Sequence, residues 1–299
     1  MTEQTAGPGQ LNSENVGQYT IAKTFEVTPR RIMAYAAGIA DSNPAYFDDL
    51  GEGGLIGHPF MAYTFEWNSR FMPQVPPNPR AGGYGVHAGT DLQFNRPFRE
   101  GDVITSQGRN ISNRQVKPGV LSITRYLMTD ASGDLVAKLD TSGIIRGATL
   151  DGEDVILEES MPVPQAIEAT GTVWTSSVYI PREAGQTYTE CADIYNPIHT
   201  ERRVATAVGL PDIILHGSAT QAIAMSQIID KSLGGDPGRV RRFVGQLRAM
   251  VLMETSIEIR CLAERTNSEG ELEIFFEVLN AEGRPAVANG VVVAAGGGD

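Results

Sequence analysis

The sequence has 299 residues and a mass of 32.2 kDa, with 41% hydrophobic and 20% charged residues. Disordered and membrane-embedded classes are excluded, because this is an ordinary globular composition and no apolar run approaches the roughly 20 residues of a membrane span. The net charge of -12 argues against nucleic-acid binding, because contacts with phosphates require clustered lysines and arginines.

Residues 1–17 read as a polar N-terminal tail, which lacks both the basic and the apolar regions of a signal peptide. The only cysteines, Cys191 and Cys261, lie far apart and form neither a Cys-x-x-Cys pattern nor a disulfide framework. We therefore expect a cytoplasmic protein with two free thiols.

Residues 18–147 are predicted to form a first domain. A helix at 30–39 ends in a polar turn with Asn43-Pro44, and a second apolar stretch covers 61–70. Only strands follow, at residues 84–94, 102–110, 119–129 and 135–146. Residues 148–170, rich in acidic residues and containing prolines, indicate a linker.

Residues 171–299 repeat this order of elements. The predicted elements are helices at 185–191 and 215–233 and strands at 242–250, 255–264, 272–280 and 286–294. The turns Asn43-Pro44 and Asn196-Pro197 lie about 150 residues apart, and the turns around Gly133 and Gly283 share nearly the same offset. A repeat of this length indicates two whole domains in tandem. One long buried helix followed by antiparallel strands in each copy predicts an α+β double hot-dog fold.

The second copy contains the motif Asn196-Pro197-Ile198-His199, and Gly217 follows 18 residues later in the string Ile-Leu-His-Gly. This pattern resembles the MaoC-like or hydratase 2 family of enoyl-CoA hydratases, which carry Gly-Asp-x-Asn-Pro-Ile/Leu-His and a later His-Gly. The resemblance spans essentially the whole chain, because tandem members of that family have a degenerate first copy.

The resemblance implies a hydro-lyase without a cofactor, which adds water to a 2-enoyl-CoA thioester or removes it from a 3-hydroxyacyl-CoA. It implies that His199 acts as acid and base with an aspartate as its partner, and that the backbone N–H of Gly217 stabilises the thioester oxygen. It also implies an acyl-CoA partner, and it leaves open a homodimer of double hot-dogs.

Two departures from the family pattern bear on this mechanism. The family aspartate lies two residues before the asparagine, where this sequence has Ile194, while Asp193 stands one residue further upstream. If the turn has absorbed one extra residue, Asp193 reaches the water; otherwise His199 lacks its carboxylate. In the first copy Tyr46 replaces the histidine, and a phenol is a poor base at pH 7.

Several polar residues are candidates for supporting roles. Asn196 shapes the turn, and His216 supports the start of the helix. Arg241 and Arg242 belong to the basic segment GRVRRFVGQLR, which is either a solvated strand end or a dock for the phosphates of coenzyme A. The other histidines, His58 and His87, either line the acyl pocket or satisfy local backbone groups.

The sequence has no dinucleotide-binding glycine motif, no Walker A loop and no nucleophile elbow, and its histidines are not spaced as metal ligands. Two alternatives to a hydro-lyase stay open. One is a protein that binds acyl thioesters without hydrating them, because Ile194 replaces the family aspartate. The other is a hot-dog thioesterase, which would release free thiol.

Overall fold

The structure is a computed structural model that describes residues 9–72, 85–165 and 171–297. Parts of the sequence predictions lie outside these ranges. They are residues 1–8 of the predicted tail, residue 84 at the start of a predicted strand, residues 166–170 of the predicted linker and the last two residues of the second domain.

Each half contains two or three helices and a set of strands. In the first half these are β1 (Gln10–Leu11), β2 (Lys23–Glu26), α1 (Pro29–Gly38), α2 (Ala62–Ser69), β3 (Gly85–Phe94), β4 (Val103–Val116), β5 (Gly119–Thr129), β6 (Leu135–Arg146), β7 (Thr149–Leu150) and β8 (Val155–Ile156). In the second half they are β9 (Trp174–Ile180), α3 (Ala184–Ala192), α4 (Arg202–Ala207), α5 (Gly217–Ser232), β10 (Val240–Leu247), β11 (Thr255–Thr266), β12 (Leu272–Leu279) and β13 (Pro285–Ala294).

Most predicted elements form close to their expected bounds, and the differences have local causes. Strand β4 runs on to Val116, because it pairs with β5 as far as the turn that joins them. No sequence pattern predicted β2, β9 and α4, or the two-residue strands β1, β7 and β8. Burial in β9 alternates residue by residue, so its period of two was the available signal. The other five elements have only two to six residues, which is too short for a periodic pattern to stand out.

One antiparallel sheet joins the two halves. Its strand order is β2-β4-β5-β6-β3-β10-β13-β12-β11-β9, and β3 pairs with β10 at the centre. Read outwards from this junction, the first half (β3-β6-β5-β4-β2) has the same relative order as the second half (β10-β13-β12-β11-β9). The two copies are therefore arranged as a symmetric pair along one continuous sheet, with helices packed against it.

The central helices of the two halves differ in length. Helix α5 has 16 residues and is buried over most of its surface, whereas α2 has only eight. The sequence after α2 carries prolines at 73, 76, 77 and 79, which cannot donate the backbone hydrogen bonds of a helix. Helix α2 is therefore the shorter of the two central helices, and it lies within the stretch 61–70 that the sequence predicts.

The predicted tail and linker contact the first half. Strand β1, from the tail, pairs in parallel with β7, from the linker, and β8 pairs with β4.

No helix within residues 9–72, 85–165 and 171–297 has both the length and the apolar composition needed to cross a membrane.

Helices α1 and α3 meet through equivalent residues. Tyr35 and Tyr188 lie 153 residues apart, and their hydroxyl oxygens are 3.0 Å from each other. Gly38 has Cys191 as its counterpart at the same offset, and a Cβ on this glycine would lie 2.7 Å from the Cys191 Cβ. Contacts between equivalent residues occur at a twofold axis, so the axis that relates the two copies passes between α1 and α3.

Candidate active site

The turn that carries His199 is built in the same way as its counterpart in the first half. Helix α3 ends at Ala192, and its C-cap residue Asp193 has a left-handed conformation with φ of 55°. Asn196 then caps a short 3-10 turn by accepting a hydrogen bond from the backbone N–H of Ile198. In the first half Ala40 has φ of 56°, and Asn43 caps the equivalent turn. Asn196 therefore has the turn-shaping contact that the sequence predicts.

Backbone hydrogen bonds show that the two turns have the same register. The N–H of Asp41 donates to the carbonyl of Ala36, and the N–H of Ile194 donates to the carbonyl of Thr189. Both pairs are five residues apart, and both acceptors are 153 residues apart. The second turn has therefore absorbed no extra residue. Ile194 is the counterpart of Asp41.

This register corrects the prediction that Asp193 partners His199. The side chain of Asp193 is exposed, and its carboxylate accepts a hydrogen bond of 3.3 Å from the amide of Asn68. Ile194 takes the inward position and is only 3% exposed. The left-handed residue reverses the chain, so the residue after it, and not the left-handed residue itself, faces the interior.

His199 is a buried, neutral imidazole. Its side chain is 9% exposed, and its Nδ1 lies 2.8 Å from the carbonyl oxygen of Ile214. Because a carbonyl only accepts hydrogen bonds, Nδ1 carries the proton and Nε2 carries the lone pair. Burial lowers the pKa of His199 to about 4. At neutral pH, Nε2 is therefore free to accept a proton.

His216 lies directly against His199. The two rings are stacked with centroids 3.8 Å apart, and His216 Nε2 is 3.3 Å from the hydroxyl of Thr189. Burial, and then the neighbouring His199, lower the pKa of His216 well below its usual value. A neutral His216 packs against His199 without the repulsion of a second charge, which suits the supporting role predicted for it.

Gly217 begins helix α5 immediately after His216. The His216 side chain makes no capping hydrogen bond, so it does not occupy the N–H groups of the first turn. A Cβ on Gly217 would overlap Cδ1 of Leu247, and it would stand 3.5 Å from Nδ1 of His87. The absence of a side chain thus lets Leu247 and His87 approach the positive end of this helix closely.

The equivalent helix start in the first half is closed. Pro59 stands where the second half has Gly217, and proline has no backbone N–H to donate. His58 caps this turn, because its Nδ1 accepts a hydrogen bond of 3.1 Å from the N–H of Phe60. Tyr46, the counterpart of His199, is completely buried. The first half therefore lacks both the imidazole and the N–H donor.

His87 lies beside the candidate site of the other half. It lies on β3 of the first half, yet it faces Gly217 of the second half. Its Nε2 is 3.0 Å from the hydroxyl of Tyr63 and 3.1 Å from the carbonyl of Gly89. No local pattern signals this placement, because it arises from the pairing of β3 with β10.

The structure corrects the prediction that Arg242 binds phosphate. Its guanidinium forms two hydrogen bonds of 2.8 and 2.7 Å with the carboxylate of Asp91, and both side chains are buried. It also donates to the carbonyls of Met161 and Pro162. Arg242 therefore joins the two halves. Arg241 donates to the carbonyls of Gly238 and Val240 and is half-buried.

Two family models match the chain, one in each half. The FAS1-like dehydratase domain region matches residues 14–139. The MaoC-like domain matches residues 175–281, which contain the whole turn with His199 and the start of α5.

Among curated proteins, a UPF0336 protein of Parafrankia sp. is 30% identical over 145 residues, which make up 46% of this chain and 95% of that protein. The fatty acid synthase beta subunit pkiC of Emericella nidulans is 35% identical over 69 residues, or 23% of this chain. This chain spans only 4% of that subunit's length.

Solved structures share the architecture. A MaoC-like dehydratase from Phytophthora capsici superposes with a TM-score of 0.81 at 21% identity, covering 96% of this chain and all of that one. A Mycobacterium tuberculosis protein described as a double hot-dog fold superposes with a TM-score of 0.61 at 15% identity, covering 98% of this chain and 99% of that one. These likenesses confirm the predicted α+β double hot-dog fold.

Proposed function

Because the chain belongs to the family of MaoC-like proteins, we propose that it is a hydro-lyase acting on a 2-enoyl-CoA or 3-hydroxyacyl-CoA thioester. Membership of the family supports hydratase or dehydratase activity in general. The choice of an acyl-CoA rests on the resemblance of the Asn-Pro-Ile-His and His-Gly motifs.

The observation that carries the proposal is the pairing of a neutral imidazole with a helix start that has no side-chain cap. His199 presents the lone pair of Nε2, and Gly217 begins a 16-residue helix whose first N–H groups are not capped by His216. The first can take a proton, and the second can stabilise negative charge. The equivalent positions of the first half, Tyr46 and Pro59, have neither feature.

In the hydration direction, His199 Nε2 takes a proton from water while the water oxygen bonds to C3 of the enoyl group. The electrons of the C2–C3 double bond move towards the thioester, where the N–H of Gly217 stabilises the oxygen as its negative charge develops. The imidazolium of His199 then returns the proton to C2, which completes the addition. Dehydration follows the same steps in reverse.

The test is turnover of crotonyl-CoA and of longer and branched enoyl-CoAs, followed by the loss of enoyl absorbance. His199→Ala should lower kcat by about a hundredfold or more, which is the usual effect of removing a general acid or base. The matched control is Tyr46→Phe at the equivalent position, because the Tyr46 hydroxyl has no hydrogen-bond partner among the described residues. Absence of turnover by the wild type, or full turnover by His199→Ala, would contradict the proposal.

A second candidate function is binding of acyl thioesters without hydration. It is favoured by Ile194, which is buried where the family pattern has an aspartate. In that case the wild type would bind acyl-CoA but leave it unchanged, and Ile194→Asp would gain activity. A thiol-reactive dye in the same assay detects the free coenzyme A that a thioesterase would release.

A further inference from the structure

The start of helix α5 is lined by both halves of the chain. Nδ1 of His87, on β3, lies 3.5 Å from the point where a Cβ on Gly217 would stand. His199 stacks on His216, the residue that precedes Gly217. Two imidazoles from different halves therefore flank one helix start.

The hydrogen bonds of His87 determine which of its nitrogens carries the proton. Nε2 lies 3.1 Å from the carbonyl oxygen of Gly89, which can only accept. Nε2 is therefore the protonated nitrogen, and Nδ1 carries the lone pair that faces Gly217. Burial keeps the ring neutral at pH 7, since it lowers the pKa of His87 to about 4.

A chain of buried hydroxyls supports the same assignment. The hydroxyl of Thr90 donates to the side-chain carbonyl of Gln221 at 2.7 Å, and the hydroxyl of Tyr63 lies 2.6 Å from that of Thr90. Because Thr90 uses its only hydrogen on Gln221, Tyr63 donates to Thr90. The Tyr63 oxygen then accepts from Nε2 of His87 at 3.0 Å. Tyr63 is thus a positioning residue for His87.

We propose that His87 is a catalytic residue of the second-half site, where its Nδ1 accepts one hydrogen of the attacking water while Nε2 of His199 takes the other as a proton. This inference rests on the proposed function. His87 accepts a hydrogen bond and gains no proton, so the balance of the reaction is that of His199 alone. His87 thereby supplies the hydrogen-bond acceptor that the family aspartate would provide, because Ile194 has no acceptor in its side chain.

The surroundings explain why a neutral acceptor suits this site. His199 and Ile194 are buried, so a carboxylate placed there would carry a large desolvation penalty unless a donor such as the attacking water is hydrogen-bonded to it. A neutral imidazole holds the water with a lone pair at a much smaller penalty. It also leaves the two rings, His199 and His87, without mutual charge repulsion at neutral pH.

The principal test compares His87→Leu, which removes the acceptor, with His87→Asn, which keeps an acceptor near the position of Nδ1. We expect His87→Leu to lower kcat for enoyl-CoA by about a hundredfold and to change KM by less than about threefold. His87→Asn should retain more activity than His87→Leu. The control is Tyr46→Phe, and a thermal melt of each variant verifies folding.

A rescue variant separates a catalytic role from a structural one. Adding Ile194→Asp to His87→Leu supplies a carboxylate at the position of the family aspartate, so we expect kcat to rise by about tenfold or more over His87→Leu. A purely structural loss at His87 would not respond to a carboxylate at position 194.

The outcomes distinguish this inference from the proposed function. A wild type without hydratase activity overturns both, whereas an active wild type with His87→Leu within about threefold of it overturns only the role of His87. Should His87→Leu fail to fold, long-range proton–nitrogen spectra of histidine-labelled wild type decide instead, with the His87→Asn variant assigning the signals. A protonated Nδ1 in His87 overturns the inference, and a bare Nδ1 supports it.

Discussion

At the scale of single residues, the two turns of the repeat show how one side chain changes the chemistry of a conserved backbone. Asp41 and Ile194 have the same backbone hydrogen bond and both are buried, yet only the first is a carboxylate. At the other position of the motif, the first copy has Tyr46 and only the second copy has the imidazole, His199. Each copy therefore keeps one half of the acid–base pair that the family motif combines in a single turn.

The register makes a prediction for Asp193. Its carboxylate is exposed and bonded to Asn68, so Asp193→Asn should change kcat/KM by less than about twofold. The measurement is steady-state turnover of the best enoyl-CoA substrate, with His199→Ala as the comparison. A loss of more than about tenfold in Asp193→Asn would mean that this carboxylate reaches the site after all.

At the scale of elements, helix α3 and the turn that follows it are packed backbone to backbone. Gly185, in the first turn of α3, lies so close to the carbonyl oxygen of His199 that a Cβ would overlap it. Glycine normally weakens a helix, so its presence here is explained by this close approach. Helix α3 thus fixes the position of the His199 backbone in the site.

Gly185→Ala should therefore damage both stability and activity. The added methyl group must displace backbone, so we expect a loss of about 1–3 kcal/mol in the free energy of unfolding. Activity should fall as well, because small displacements of a catalytic group are costly. The matched control is Gly143→Ala in β6, where a Cβ meets nothing closer than 3.7 Å. Equal urea midpoints for the two variants would contradict this account.

At the scale of the whole molecule, the junction of the two halves depends on a buried ion pair. Asp91 on β3 and Arg242 on β10 form a bidentate ion pair across the central strand pair. Removal of either partner alone leaves a buried charge without compensation. This is more costly than replacing both with apolar groups.

We expect Arg242→Met alone to lower the free energy of unfolding by about 3–5 kcal/mol. The double variant Asp91→Leu with Arg242→Met should lose less than the single one, because no unpaired charge is left. Urea unfolding of the wild type, the two single variants and the double variant measures the coupling. Additive losses in the double variant would show that the two side chains do not interact.

The buried histidines make stability depend on pH. The pKa values of His58, His87 and His199 are lowered to about 4 by burial, and that of His216 is lower still. Between pH 6.5 and 4 the unfolded chain binds more protons than the folded one, so stability falls as pH falls. The slope is at most about 1.4 kcal/mol per pH unit for each histidine.

Glu66 acts in the opposite direction. Burial raises its pKa to about 7, so the folded state binds its proton more tightly and stability falls as pH rises from about 4.5 to 7. Glu66→Gln should therefore steepen the loss of stability on acidification that the histidines produce. Urea unfolding at pH 7, 6 and 5 measures both slopes. A wild type that gains stability between pH 6.5 and 5 would refute the histidine account.

The amino-acid sequence by itself determined the features that depend on neighbouring residues. Apolar spacing and glycine turns predicted most helices and strands, and the repeat of Asn-Pro turns predicted two equivalent domains. The residues Asn196 to His199 and Gly217 identified the family resemblance and the candidate acid and base. Each of these signals is contained within a few turns of chain, where residue type and spacing act directly on local structure.

Only the tertiary structure decided which residues face one another. The left-handed residue at the end of α3 turned Asp193 outward and Ile194 inward. The pairing of β3 with β10 brought His87 to Gly217 and joined Arg242 to Asp91. Such contacts depend on which surfaces of distant segments pack together, and local propensities contain no information about that choice.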